Sequence, residues 1–234
     1  MVEIGGKPIL WHIMKTYEKY GFNDFSLALG YKGEVIKNYF MNYHANQSNL
    51  TIKLKSGEVS YNDPNSEDWK ISLIDTGALT MTGGRLLRLK QLIKDSGTFM
   101  LTYGDGVSNI NIENLIKFHR SHGKIGTVSA VRPLVRFGEL MIDDSRVSRF
   151  EEKPQTGEGW INGGFFVFEP EIFDYINDDT TLLEREPLEN LSKNGELMAY
   201  KHDGFWQCMD TIRDRDLLEK KWQSGDAPWI KKII

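Results

Sequence analysis

The chain has 234 residues, 40% hydrophobic and 26% charged, with a formal net charge of −4. That length suits one sizeable domain with a buried core, and that balance excludes a disordered chain. With 29 basic against 33 acidic residues there is no basic excess to draw in nucleic acid, so a polyanion would need a local basic site or a metal ion.

The spacing predicts a helix from Pro8 to about Tyr20, with Ile9, Leu10, Ile13, Tyr17 and Tyr20 on one face and Gly21 as its stop. No strand is visible before it. Phe25–Leu29 reads as a buried strand, followed by a helix carrying Val35, Ile36, Tyr39, Phe40 and Tyr43. From Asn46 to Trp69 the chain is polar and ambiguous; Leu50–Leu54 alternates like a strand and Asn62–Asp68 is rich in turn residues. Ile71–Ile74 is a strand. Gly83-Gly84 precedes a helix with Leu86, Leu87, Leu89, Leu92 and Ile93. Thr98–Tyr103 is a strand that stops at Gly104-Asp105-Gly106.

A helix over Ile112–His119 and a strand over Thr127–Val131 follow. The rhythm then changes. Leu140–Ile142 and Val147–Phe150 read as short antiparallel strands around Asp143-Asp144, and Gly163–Phe168 as a buried strand. Helices near Ile172–Ile176 and Leu188–Lys193, a strand at Leu197–Tyr200 and a helix at Ile212–Trp222 complete the chain. Alternating helices and strands argue an α/β fold, with a mixed, mostly parallel Rossmann-like sheet flanked by helices and a small antiparallel β subregion.

The single cysteine, Cys208, rules out an internal disulfide and makes a reduced, cytoplasmic setting the expectation. Apolar runs such as Phe165–Phe168 are too short to span a bilayer. Met1–Pro8 does not read as a secretory signal.

The strongest chemical signal is Thr102-Tyr103-Gly104-Asp105-Gly106. Ligands of open α/β sheets bind beyond the carboxyl ends of strands. A carboxylate between two glycines there suits a divalent metal that shares phosphate oxygens. The competing reading is a turn whose Asp caps the next helix. Asp210, in Trp206-Gln207-Cys208-Met209-Asp210-Thr211, stands before a helix and reads first as its N-cap. Paired with Asp105, it would supply a second metal carboxylate. Lys153, in Glu151-Glu152-Lys153-Pro154, could hold a phosphate or be a solvated surface charge. Asn162-Gly163-Gly164 could hydrogen-bond a sugar or form a tight turn. In Thr82-Gly83-Gly84-Arg85, Arg85 could fork onto a phosphate or a base carbonyl at a helix start. The histidines show no metal spacing and read as structural, His119 and His122 lying at a helix end that favours cations. Cys208 reads as a buried, inert thiol.

Together these segments resemble the sugar-phosphate nucleotidyltransferases, and among them the glucose-1-phosphate cytidylyltransferases. The resemblance runs through Gly5-Gly6-Lys7-Pro8-Ile9-Leu10-Trp11-His12, Gly30-Tyr31-Lys32-Gly33, Asp75-Thr76-Gly77, Met81-Thr82-Gly83-Gly84-Arg85-Leu86, Thr102–Val107, Glu152-Lys153-Pro154, Ile161–Phe166, Gly195–Ala199 and Gly204–Thr211. It covers essentially the whole chain and implies one nucleotidyltransferase domain over 1–234. It implies that CTP and α-D-glucose 1-phosphate, with Mg²⁺, give CDP-glucose and pyrophosphate for the dideoxy sugars of bacterial surface polysaccharides (lipopolysaccharide O-antigen). It also implies a homo-oligomer, a hexamer with active sites near subunit contacts.

By matching positions, Asp105 and Asp210 would hold Mg²⁺; Arg85, Thr80 or Thr82, and Gly104 would contact the nucleotide. Lys153 would contact the sugar phosphate, Asn162 and Gly163 the glucose, and Glu152 the sugar hydroxyls. Relatives usually have proline where this chain has Cys208. The family opens with a strand and a Gly-Gly-x-Gly-Thr-Arg-Leu loop followed by a lysine, and Met1 matches the position just after that lysine. A mis-assigned start, a truncation and a short paralogue would each produce this. The expectation is that the polypeptide as written folds poorly alone and turns over little. A nucleotide-sugar binding remnant without catalysis is the alternative; a glycosyltransferase would usually show an Asp-x-Asp pair at a strand end, where Gly104-Asp105-Gly106 has only one Asp.

Overall fold

The computed structural model describes residues 1–62, 66–133, 139–143, 146–151 and 159–231. The chain begins with a short ladder that the sequence did not suggest. β1 (Glu3–Ile4) and β2 (Lys7–Pro8) pair antiparallel around Gly5-Gly6, both at positive φ (59° and 73°). Two glycines in that conformation form the tight turn a two-residue hairpin loop demands. Helix α1 (Ile9–Glu18) follows directly and buries Ile9, Trp11, His12, Ile13, Met14, Thr16 and Tyr17.

β3 (Asp24–Leu29) runs parallel to β6 (Lys70–Asp75), and α2 (Gly33–Met41) and α3 (Tyr43–Gln47) lie between them in sequence. The ambiguous stretch holds a hairpin, β4 (Asn49–Lys53) with β5 (Glu58–Asn62), of which only the first strand was legible. After β6 come α4 (Thr82–Arg88) and α5 (Lys90–Ile93). Gly83 and Gly84 lie inside the first turn of α4 rather than before it. Both are buried, and a Cβ on Gly84 would stand 2.5 Å from the Asp179 backbone. Close approach of two backbones, not helix propensity, accounts for the pair.

β7 (Phe99–Thr102) and β8 (Gly106–Ser108) flank Gly104-Asp105, and α6 (Ile112–His122) leads to β9 (Gly126–Val131). β10 (Glu139–Asp143) and β11 (Arg146–Glu151) form the expected antiparallel pair. β12 (Ile161–Phe168) runs antiparallel to both β9 and β7. The predicted helix near Ile172–Ile176 is a 3₁₀ turn, Pro170–Tyr175. α7 (Glu186–Lys193), β13 (Leu197–His202), β14 (Trp206–Cys208) and α8 (Ile212–Gln223) follow. The larger sheet has the order β13-β9-β12-β7, with β13 parallel to β9.

β12 is the middle of the core because both of its faces are apolar. Phe165 and Val167 join Ile13, Tyr17, Leu115, Leu218 and Trp229 on one side. Phe166 and Phe168 join Leu86, Ile172, Phe173, Leu183 and Leu191 on the other. A strand buried on both faces reads as a continuous apolar run, as this one does. Among the described residues β3 pairs only with β6 and β7 only with β12, so each keeps one edge without a strand partner. No helix among the described residues is long and apolar enough to cross a membrane.

Candidate active site

The carboxyl end of β7 and the strand pair β8–β14 build the centre of the site. The ladder aligns Gly106 with Cys208, Val107 with Gln207 and Ser108 with Trp206. One residue beyond it, the Met209 amide donates to the Asp105 carbonyl at 2.8 Å. This register brings Asp105 and Asp210 together across a sequence separation of about a hundred residues. Both face solvent at the sheet end. Partial desolvation, then the negative charge of Asp210, pushes the Asp105 carboxyl above its ordinary range. Two like charges held this close are a source of repulsion that a cation would relieve.

The helix-cap readings of both carboxylates are corrected by the structure. Thr211, not Asp210, caps α8: its hydroxyl oxygen accepts the Asp214 amide at 3.2 Å, and its own amide donates to the Asp214 carboxylate at 3.0 Å. This reciprocal capping box leaves the Asp210 carboxylate outside the helix. Asn111 caps α6, accepting the Asn114 amide at 2.9 Å, so Asp105 has no capping role either. The Cys208 thiol is not a buried core group. It is partly exposed and donates to Asp210 Oδ2 at 3.3 Å.

A hydrogen-bonded chain extends from this centre to α4. Tyr103, next to Gly104, donates to Glu184 Oε1 at 2.7 Å. Thr82, the first residue of α4, donates to Glu184 Oε2 at 2.6 Å and accepts the Leu183 amide at 2.9 Å. Asn162 Nδ2 donates to the Tyr103 hydroxyl at 3.3 Å, while its Oδ1 accepts the Gly164 amide at 2.8 Å. Burial, then Glu184, pushes the Tyr103 phenol upward, which keeps it a donor.

Asn162 and Gly163 are part of β12, not a tight turn. The ladder with β9 shifts register between Asn162 and Phe166. Gly163 is required there because a Cβ would lie 2.6 Å from Ser129 Oγ and 3.1 Å from the Ser129 carbonyl. Trp206 Nε1 donates to the Gly163 carbonyl at 2.7 Å, tying β14 to the same bulge. At Gly104 a Cβ would meet nothing within 4 Å, so the missing side chain leaves open space beside Asp105.

Arg85 lies over Gly30, where a Cβ would clash with its guanidinium at 2.4 Å. Its Nη1 donates to the Leu29 carbonyl at 3.1 Å and to Thr76 Oγ1 at 2.7 Å, and its Nη2 to the Ala78 carbonyl at 3.5 Å. Arg85 thus pins the segment after β6 to the end of β3. Thr80 is buried within that segment. Glu152 and Lys153 lie outside the described residues.

Sequence reasoning missed Glu184, which sits in the run Leu183-Glu184-Arg185-Glu186 and looks like solvated charge. It also passed over Tyr103 and Trp206 as individual contributors, although both stand inside quoted motifs. Burial, then the charges of His119 and Lys124, hold His122 below the usual histidine range.

The Nucleotidyl transferase family profile matches residues 1–214. The chain is 49% identical over 229 residues to glucose-1-phosphate cytidylyltransferase of Salmonella typhi, covering 98% of this chain and 89% of that protein. It is 47% identical over 228 residues to the probable glucose-1-phosphate cytidylyltransferase of Bacillus subtilis, covering 97% and 88% respectively. The fold is similar to the crystal structure of HddC from Yersinia pseudotuberculosis, with a TM-score of 0.69 and 22% identity, covering 95% of this chain and 88% of that one. The chain therefore belongs to the nucleotidyl transferase family, within its glucose-1-phosphate cytidylyltransferase group.

Proposed function

We propose that the protein transfers the cytidylyl group of CTP to α-D-glucose 1-phosphate. A phosphate oxygen of the sugar phosphate attacks the α-phosphorus of CTP. The new phosphorus–oxygen bond forms as the bond to the bridging oxygen breaks, and pyrophosphate leaves with that electron pair. CDP-glucose is the product. Kinship with the cytidylyltransferases carries this reading, and the juxtaposition of Asp105 and Asp210 supports it.

The donor set fits a hard divalent cation. Two carboxylates at a sheet end, one raised by partial desolvation and then by the charge of the other, match Mg²⁺, which takes one or two carboxylates and leaves positions for phosphate oxygens. Asp105 and Asp210 would hold it, and when bound it neutralises charge on the triphosphate. The rest falls to positioning, which carries most of the catalysis in phosphoryl-type transfer. Arg85, Thr80, Thr82 and Gly104 place the nucleotide, Gly104 by leaving room for it. Asn162 and Gly163 receive the glucose, with Lys153 on its phosphate and Glu152 on its hydroxyls. No general base is needed, since a phosphate monoester is anionic at pH 7.

The product would serve dideoxy-sugar synthesis for O-antigen in the cytoplasm, and the enzyme would work as a homo-oligomer, a hexamer by kinship. Incubation with CTP, glucose 1-phosphate and Mg²⁺, followed by ion-exchange separation and mass measurement, should yield CDP-glucose. A product carrying another sugar, or none, would reject the reading.

A further inference from the structure

Two buried polar side chains that take no part in the chemistry flank the turn carrying Asp210. Gln207, on β14, and Asp214, the third residue of α8, are each only 6% exposed. Gln207 Nε2 donates to the Cys208 carbonyl at 2.8 Å and to Asp214 Oδ1 at 3.1 Å, so both of its amide hydrogens are used. Asp214 Oδ2 accepts the Thr211 amide at 3.0 Å and the Thr211 hydroxyl at 2.7 Å.

Capping of α8 explains only half of this arrangement. A capping box asks the residue at the third helical position to reach back to the N-cap amide, and Asp214 Oδ2 does so. Oδ1 leaves the helix and ties α8 to β14. Capping does not call for burial either, because water satisfies helix ends at a surface. A buried carboxylate is costly unless it is hydrogen-bonded, and Gln207 and Thr211 supply donors to both oxygens. The bonds fall on the neighbours of Asp210. Gln207 holds the Cys208 carbonyl, the Asp105 carbonyl holds the Met209 amide, and Asp214 holds the Thr211 amide. The Asp210 residue between them stays exposed.

We propose that Gln207 and Asp214 are positioning residues for the cation site: they set the turn so that the Asp210 carboxylate stands near Asp105 before a cation arrives. A cation that finds two carboxylates already in place spends less of its binding on ordering them. Neither residue touches the cation or the substrates; both act through the backbone on either side of Asp210. The proposal rests on the reading that Asp105 and Asp210 hold Mg²⁺, and it names what keeps one of those ligands in position.

Two substitutions separate this role from capping. Asp214→Glu keeps a capping box, since Glu is the usual residue at that position, but its longer arm moves the second oxygen off Gln207. Gln207→Leu removes the link and leaves the box intact. Asn111→Ala, which strips the cap of α6, is the control for lost stability alone. In the metal-free proteins, amide deuterium exchange over Gln207–Thr211 should run about tenfold faster in both variants and at the wild-type rate in Asn111→Ala. In pyrophosphate release, both variants should need about tenfold more Mg²⁺ for half-maximal rate, with KM for glucose 1-phosphate within about twofold of the wild type. If Gln207→Leu does not fold, Asp214→Glu decides alone. Wild-type exchange and wild-type Mg²⁺ dependence in the folded variants would overturn the positioning role and leave the cation site standing. A wild type whose turnover ignores Mg²⁺ would overturn the cation reading and this proposal with it.

Discussion

The Met209 amide donates to the Asp105 carbonyl at 2.8 Å, carrying the β8–β14 pairing one step further, to the residues beside Gly104 and Asp210. Asp105 ends a turn after β7 and Asp210 follows β14, so neither carboxylate is positioned by its own local sequence. The β8–β14 ladder positions both. Partial desolvation and then the Asp210 charge raise the Asp105 carboxyl, a cost in stability that a bound cation would relieve.

That cost is measurable. A carboxyl raised in the folded state adds stability below its ordinary pKa and loses it as pH rises through the raised value. At pH 7 and without Mg²⁺, Asp105→Asn should therefore melt at the wild-type temperature or above it. Mg²⁺ with CTP should raise the wild-type melting temperature and leave the variant's unchanged. Activity of Asp105→Asn and Asp210→Asn should fall at least about a hundredfold, in line with the loss of a principal electrostatic group. Thermal shift and pyrophosphate release read the two effects separately, and a variant that melts well below the wild type would contradict this account of Asp105.

Glu184 joins Tyr103, just past the end of β7, to Thr82 on α4 through bonds of 2.7 and 2.6 Å. It holds the segment leading to Asp105 and the start of α4 in one frame. Glu184→Ala should lower kcat/KM about tenfold, through a displacement of bound substrates rather than a lost chemical group. Tyr103→Phe should cost less. The double variant should resemble Glu184→Ala, because the two residues act through one contact. Fully additive losses in steady-state kinetics would show that they act independently.

The bulge at Asn162-Gly163 has little room. Gly163→Ala would drive a methyl into Ser129 Oγ and the Ser129 carbonyl, in the middle of the central sheet. About 1–3 kcal/mol of stability should be lost, the usual cost of overpacking. Gly104→Ala meets no protein atom and should leave stability unchanged while weakening nucleotide binding. Urea unfolding of both variants distinguishes them; a Gly104→Ala protein as destabilised as Gly163→Ala would show that the space beside Asp105 is structural.

The α6 histidines predict a pH dependence of stability. The Lys124 amide donates to His122 Nδ1 at 3.0 Å, so neutral His122 carries its proton on Nε2 and donates to Thr127 Oγ1 at 2.8 Å. Thr127 then donates to His119 Nδ1 at 2.8 Å, and His119 Nε2 donates to Glu169 at 3.0 Å. A second proton on His122 would face the Lys124 amide. Burial, then His119 and Lys124, depresses His122, with Glu196 opposing. A depressed folded-state value means stability is full above the ordinary histidine range and falls as pH drops through it. The melting temperature should be level above about pH 7 and decline as pH falls below about 6.5, the ordinary histidine value. His122→Gln should make that decline shallower, with buried His12 and half-buried His202, also held below the usual histidine range, supplying the rest; an unchanged slope would exclude His122 as a source.

Long periodic segments were legible from the sequence. α1, β3, α6, β9, β12 and α8 follow from apolar spacing because each buries a face or is buried on both. β1, β2, β8 and β14 were not, since strands of two or three residues have no period to read and exist through their partners. β5 escaped because its apolar residues alternate within a polar tract and stay exposed. Of the site, Gly104-Asp105-Gly106 announced itself through two glycines around a carboxylate. Asp210 read first as a cap because Thr211, the residue that takes that role, stands beside it. Glu184 gave no signal, as its function depends on two partners 81 and 102 positions away.

Base selection is the central claim, and pyrophosphate release with glucose 1-phosphate and Mg²⁺ tests it most directly when CTP, UTP and dTTP are compared at equal concentration. The account predicts release with CTP at least about tenfold above the other two, corresponding to ~1.4 kcal/mol or more of discrimination, with CDP-glucose as the co-product. Faster release with UTP or dTTP, or no CDP-glucose at any enzyme concentration, would contradict it.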